Sequence, residues 1–226
     1  MSLLTSDLLD LNQTEHGLLF RDCKYPWEAL MHIDRYLEHH LKPEIRGLVA
    51  PGAVIEGSVF IGEGTVVEPH AYIKGPAWIG QGCQVRHGAY LRGNVIAGNN
   101  CVLGNSCEFK NSVLFNEVQV PHFDYVGDSI LGHHAHHASG VTLSNLKITK
   151  GNVEMMVDGS KVDTGLRKFG AIVGDHVDVG CHCVLNPGSI LGRHSMLYPN
   201  ISWRGICPPN TIVKLDQQQH RVIRTQ

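Results

Sequence analysis

The sequence predicts an all-β protein: a parallel β-helix of hexapeptide repeats, preceded by a short helical segment. Three observations carry this reading. First, from Val49 an apolar position recurs every six residues, as Val49, Ile55, Ile61, Val67, Ile73, Ile79, Val85, Leu91, Ala97, Leu103, Phe109 and Phe115. Second, a column four residues further on is small or β-branched until its last member: Ala53, Val59, Thr65, Ala71, Ala77, Cys83, Ala89, Val95, Cys101, Cys107, Val113 and Gln119. Third, Gly62, Gly64, Gly80, Gly82, Gly98 and Gly104 fall in the turns between units. Large and small side chains pointing inward at a fixed period, with turn formers between them, bury a continuous core only when the units wind into a solenoid. Three units make a triangular coil of 18 residues, so residues 18 apart stack at about the 4.8 Å strand spacing.

The elements follow in order. Residues 1–47 form a helical cap or linker, in which Pro26 suits a first helical turn and Trp27, Leu30, Ile33, Leu37 and Leu41 follow at helical spacing. This amphipathic helix is expected to cover the open first coil. Residues 48–207 form the β-helix. Its register slips by four residues between His122 and Ile130, resumes at Leu131, His137 and Leu143, and leaves the coil for an external loop with a short hairpin over residues 146–170. It returns at Val173, Val179, Leu185, Leu191 and Leu197. Residues 208–226 form a C-terminal strand extension, with Thr211 to Ile223 read as a strand pair turning at Gln217 to Gln219 and closing the other end.

Composition narrows the function classes. The 226 residues are 42% hydrophobic and carry a net charge of −2, which gives no electrostatic reason to expect nucleic acid or an anionic membrane as partner. No apolar run approaches the roughly 18 residues of a membrane helix, and the N-terminus lacks a secretory layout, so a cytoplasmic protein is expected. The seven cysteines include no CxxC pair, which favours reduced thiols. Cys83 and Cys101 stack in the small column and are expected to pack as small hydrophobes. Walker A, strand-bounded GxGxxG and GxSxG patterns are absent, which argues against nucleotide hydrolysis and sugar-nucleotide synthesis by this chain alone.

Three constellations could carry chemistry. Lys74, Arg92 and Lys110 fall 18 apart and should form one column. Like charges at strand spacing repel, so the column either takes an anion such as a phosphate or splays its side chains into solvent. His122 and Tyr125 sit where the repeat breaks, and a histidine there can serve as general base at neutral pH or hydrogen-bond within a turn. The run Gly132-His133-His134-Ala135-His136-His137 invites a zinc reading. Zinc, however, needs three or four convergent ligands, and adjacent residues of an extended strand point to opposite sides. His176 and His194 stack one coil apart without an evident third partner. Zinc-dependent hydratases with hexapeptide β-helices carry a His-x4-His pair, and this chain has none, so no metal site is expected.

Four segments resemble one family: His122-Phe-Asp-Tyr-Val-Gly-Asp128, Ser144-Asn-Leu-Lys147, Thr164-Gly-Leu-Arg-Lys-Phe-Gly-Ala-Ile-Val-Gly174 and Asn186-Pro-Gly188. They are similar to the C-terminal left-handed β-helix domain of bifunctional N-acetylglucosamine-1-phosphate uridyltransferase/glucosamine-1-phosphate acetyltransferase, and to related archaeal sugar-1-phosphate nucleotidylyltransferases. The likeness covers roughly residues 20 to 215 and lacks the uridyltransferase domain. It implies a homotrimeric N-acetyltransferase that uses acetyl-CoA on an amino sugar phosphate. His122 would be the base, Arg92 and Lys110 would grip the phosphate, and Tyr125 and Asn145 would contact the sugar. Ser139, Cys181 and Pro199 would line the coenzyme A groove. The chain departs from the family where a substrate-binding asparagine is replaced by His136, which would take its place against the substrate, and a glycine by Ala138. A non-catalytic trimeric scaffold for a separate nucleotidyltransferase chain is the alternative reading.

Overall fold

Each hexapeptide unit contributes a strand of two to four residues, and successive units turn through a corner into the next face. The computed structural model describes residues 2–157 and 159–224. Among these, the strands stack into three all-parallel sheets, here A, B and C, of nine, nine and eight strands. The expected left-handed β-helix of hexapeptide repeats is the architecture observed. Its core is the stack of inward residues, for example Ile61, Ile79 and Ala97 on sheet A, Val67, Val85 and Leu103 on B, and Ile73, Leu91 and Phe109 on C. Cys83 and Cys101 are buried free thiols within that core, as expected.

The register slips in two one-residue steps, the first of them earlier than expected. From Leu48 up to Phe109 the partners are 18 apart, as Lys74 opposite Arg92 shows. Ala97 then pairs with Leu114 and Phe109 with Val126, so the coil shortens by one residue at Lys110 to Ser112. Leu114 pairs with Leu131 and Val126 with Leu143, so a second residue is lost at Gly127 to Ser129, within the stretch where the slip is expected. Leu114, Val118 and Val120 therefore occupy the inward positions expected for Phe115, Gln119 and their successors, and Ser112 replaces Val113 in the small column. The shortened coil also turns two polar residues inward. His137 enters the aliphatic column of sheet B and Asp124 the small column beside it. Both are fully buried, with imidazole Nδ1 and carboxylate 3.3 Å apart. Asp124 also accepts the Val141 amide at 2.8 Å.

Two terminal expectations are corrected. The N-terminal segment does not cover the first coil but runs along the outer face of sheet A. That face is an apolar row, Ile96, Val113, Ile130, Ile172 and Ile190, and Leu3, Leu8, Phe20, Trp27, Ile33 and Leu37 pack on it. A strand buried on both faces loses its alternation, and this row presents a continuous apolar stripe for the segment to cover. Phe115, displaced from the core, meets Phe20 edge-on here. The expected helix is split into a 3-10 segment, Pro26–Met31, and an α-helix, Ile33–His40, and three shorter helical turns, Thr5–Leu8, Leu11–Gln13 and Gly17–Phe20, precede them. At the other end, Ile212–Val213 is the last rung of sheet B, and residues 214–224 form no strand pair. Gln217 to Gln219 lacks the Gly or Asn that a tight hairpin turn needs. The excursion expected over 146–170 does hold a hairpin, Glu154–Val157 with Ser160–Asp163. It leans back on the N-terminal segment, with Phe169 beside Trp27.

His16 joins the N-terminal segment to sheet A, its ring meeting Trp78 and its Nδ1 lying 3.1 Å from the Tyr36 hydroxyl. Burial, seconded by the charge of His40, lowers its pKa from 6.5 to about 4. The unfolded chain therefore binds a proton in the window from about 6.5 down to 4 that the native chain refuses. Stability is intact above the unfolded value and falls as pH drops through the window, by about 3 kcal/mol at full extent. Melting temperature measured from pH 7 to 4 should fall less steeply in His16→Phe than in the unaltered protein; parallel curves would contradict this assignment.

Candidate active site

The shortened coil converges on Asp128. The segment Tyr125–Gly127 is a strand of sheet C, and Asp128 follows it into the C–A corner with φ 48°. Its carboxylate is almost fully buried and is held from three sides. Lys110 Nζ donates at 2.9 and 3.0 Å, Asn111 Nδ2 at 3.0 Å and Asn145 Nδ2 at 2.5 Å. Asn145 also donates to the Tyr125 hydroxyl at 3.0 Å. Gly127 is required between them by space rather than by φ. A β-carbon there would stand 2.5 Å from the Tyr125 hydroxyl and 2.7 Å from the Asn145 amide nitrogen. Burial, more than any neighbouring charge, raises the Tyr125 pKa and keeps the phenol protonated.

Arg92 and Lys110 line one cleft of about 270 Å³ with Asn94, Asn111 and Asp128. The basic column thus exists as the spacing predicted, Lys74 standing opposite Arg92 and Lys110 one rung on. Its repulsion is relieved within the chain, since Arg92 pairs with Glu108 at 2.6 Å and Lys110 with Asp128. The Arg92 pair is largely exposed and contributes little. The Lys110 pair is half-buried and bidentate, and fixes the ammonium at the cleft.

His122 lies on a different edge. It ends the strand Gln119–His122 of sheet B, exposed, and Phe123 and Asp124 form the corner that separates it from Tyr125. The Gly140 amide donates to the His122 carbonyl, the His182 amide to that of Ser139, and the Asn200 amide to that of Cys181. This corner ladder aligns His122, Ser139, Cys181 and the Pro199 position along the B–C edge, one per coil. His136 stands on sheet B opposite Gln119 and 3.5 Å from Asp178, apart from the Asp128 network. The structure therefore gathers eight of the nine sequence-predicted residues into two groups and leaves His136 outside both. One is the Arg92, Lys110, Tyr125 and Asn145 cluster; the other is the His122, Ser139, Cys181 and Pro199 edge.

Sequence reasoning missed Asp128 as the hub, although it closes the quoted H-x-x-Y-x-G-D segment. It also missed a third partner for the histidines. His133 and His134 belong to the A–B corner rather than to an extended strand, so their adjacent rings converge, with centroids 4.2 Å apart. His134, His176 and His194 stack in succession, with Glu117 beneath His134 at 2.9 Å. Partial burial, then the charges of the neighbouring histidines, hold the His176 pKa below 6.5.

Comparison with known proteins places this geometry. The chain is similar to "Bifunctional protein GlmU" of Methanococcus vannielii, 36% identical over 181 residues, which cover 80% of this chain and 43% of that protein. The protein of the same name from Methanococcus maripaludis (strain C7) is 41% identical over 189 residues, covering 82% of this chain and 46% of that one. A "Bifunctional sugar-1-phosphate nucleotidylyltransferase/acetyltransferase" of Sulfurisphaera tokodaii is 34% identical over 97 residues, covering 43% of this chain and 24% of that protein. The chain thus spans under half the length of the curated relatives it matches. The resemblance read from the four segments is borne out by these relatives. A family model described as the GMPPB C-terminal domain matches residues 73–191, which include the Asp128 cluster, His122 and the basic column. The chain belongs to the GMPPB C-terminal domain family.

Proposed function

We propose that the chain is an N-acetyltransferase that uses acetyl-CoA on an amino sugar phosphate such as glucosamine 1-phosphate, and that it acts as a homotrimer. The observation that carries this reading is that Arg92 and Lys110 line one cleft with Asp128, to which Asn145 and through it Tyr125 are joined by hydrogen bonds. A planar guanidinium and a positioned ammonium are suited to a phosphate. The phenol and the carboxamide offer a sugar hydroxyl a donor and an acceptor. In this reading His122 takes a proton from the acceptor ammonium. The free amine attacks the thioester carbonyl, and the carbonyl carbon–sulfur bond breaks to release the thiolate, which takes up a proton. Ser139, Cys181 and Pro199 would lie along the pantetheine arm, an arrangement supported by their alignment with His122 on the B–C edge. Holding both reactants in one groove contributes several kcal/mol, and the base about 10² to 10⁴-fold.

A second reading is favoured by one feature of the same cleft: both cations already have carboxylate partners, Glu108 and Asp128. A column neutralised within the chain suits a non-catalytic trimeric scaffold for a separate nucleotidyltransferase. Calorimetric titration with acetyl-CoA and with glucosamine 1-phosphate separates the two. The enzyme reading expects saturable binding of both ligands and thiol release only when both are present. Binding of neither leaves the scaffold. Light scattering should give three times the chain mass in either case.

A further inference from the structure

We propose that the corner between sheets A and B, on a different edge from the candidate active site, is a binding site for a divalent transition metal, with Glu117, His133 and His134 as ligands and Zn²⁺ the ion that this donor set suits. The ligand atoms of these three side chains lie within 4.8 Å of one another. A tetrahedral zinc with bonds near 2.0–2.2 Å would draw them to about 3.3 Å, a short rotation for side chains that are partly exposed. Two imidazoles and one carboxylate form a borderline set that favours zinc over the hard calcium and magnesium ions, which prefer all-oxygen sites.

His133 is prepared for this role. Its Nδ1 lies 2.9 Å from the Asn116 carbonyl, an acceptor only, so the ring carries its proton there and presents the Nε2 lone pair outward. A metal-bound histidine is oriented in this way by a partner at its other nitrogen. His134 Nε2 already lies 2.9 Å from the Glu117 carboxylate, so two of the ligands converge without the ion. The His176 ring stands 5.2 Å from His134 and 5.4 Å from His133, which places a further imidazole, or a water in the adjoining cleft of about 540 Å³, beside the fourth position. The nearby cation Arg193 is paired with Asp175 at 3.0 Å and does not oppose a metal charge.

The backbone alone does not account for these residues. The same left-handed corner position on other coils holds Gly64, Gly82, Asn100 and Asn210, types that adopt positive φ readily, and His176 and His194 beside the proposed site. Glu117 and His134 occupy it at φ 64° and 56°. His133, outside that column, adds a ligand that corner preference does not explain.

The test uses the full chain without an affinity tag, stripped with EDTA and titrated with Co²⁺, whose visible bands report coordination, and then with Zn²⁺ in competition. The expected result is one Co²⁺ per chain with four-coordinate absorption that Zn²⁺ displaces. His133→Ala and Glu117→Gln should each weaken binding at least tenfold. His134→Asn, chosen because asparagine suits positive φ, should do the same with an unchanged melting temperature. The control His70→Asn removes a histidine of the B–C corner and should leave affinity unchanged. Absence of one-equivalent binding would overturn the proposal, as would equal affinity in the Glu117, His133 and His134 variants, or an equal loss in His70→Asn.

Discussion

His122→Ala should lower acetyl transfer by about 10² to 10⁴-fold while leaving the melting temperature and the oligomer mass unchanged. The two parts of this expectation rest on different observations. The loss follows from the proposed role of imidazole as the group that frees the attacking amine, since an ammonium has no lone pair with which to reach the thioester. The unchanged stability follows from position: the His122 ring is exposed, and its contribution to the corner is its backbone carbonyl, which any residue supplies. Tyr125 and Asn145 hydrogen-bond to one another and Asn145 to Asp128, so the cluster should still bind the sugar phosphate in the variant. A KM for glucosamine 1-phosphate that stays within about threefold, with kcat carrying the loss, is the pattern expected of a group acting in the transition state. Steady-state kinetics beside a thermal melt measures all of this; unchanged turnover would remove His122 from the mechanism.

Asp128→Ala is the second large effect, and here stability and binding should fall together. The buried carboxylate accepts from Lys110, Asn111 and Asn145, and its removal leaves an ammonium and two carboxamides at the cleft without their partner. Breaking such a pair from one side costs about 3–5 kcal/mol, which for a chain of this size lowers the melting temperature by roughly 10 °C. Asp128→Asn keeps an acceptor oxygen and the shape but not the charge, and should recover most of the stability. If Asp128 positions Lys110, phosphate affinity should be reduced in both variants. Full affinity in Asp128→Asn would confine the carboxylate to a structural role.

Much of this was readable because a β-helix converts sequence spacing directly into neighbourhood. Lys74, Arg92 and Lys110 stack because the period is constant up to Phe109, and no tertiary information is needed to place them. The alignment of His122 with Ser139, Cys181 and Pro199 was legible only through the resemblance, because a shortened coil and the 146–170 excursion lie between them. The first one-residue shortening, at Lys110 to Ser112, escaped the reading for a physical reason, whereas the second, at Gly127 to Ser129, lies within the expected slip. Val113 and Phe115 are as apolar as Ser112 and Leu114 are core-compatible, so hydrophobicity alone fits either register. What decides is the outer face of sheet A, where the N-terminal segment buries Val113 and Phe115. That contact is long-range and leaves no periodic trace. Asp128 was passed over because an acidic residue in a turn is ordinary, and its importance comes from three donors spread from Lys110 to Asn145. The histidine corner was misjudged by applying strand geometry to residues that the structure places in a turn.

A crystal structure of the chain with coenzyme A and glucosamine 1-phosphate bound tests the central claim most directly. The acyl-transfer account requires phosphate density between the Arg92 guanidinium and the Lys110 ammonium, with the thiol end of coenzyme A approaching His122 along the edge marked by Ser139 and Cys181. Density for the sugar phosphate elsewhere, with Glu108 and Asp128 still holding both cations and His122 facing bulk solvent, would contradict it.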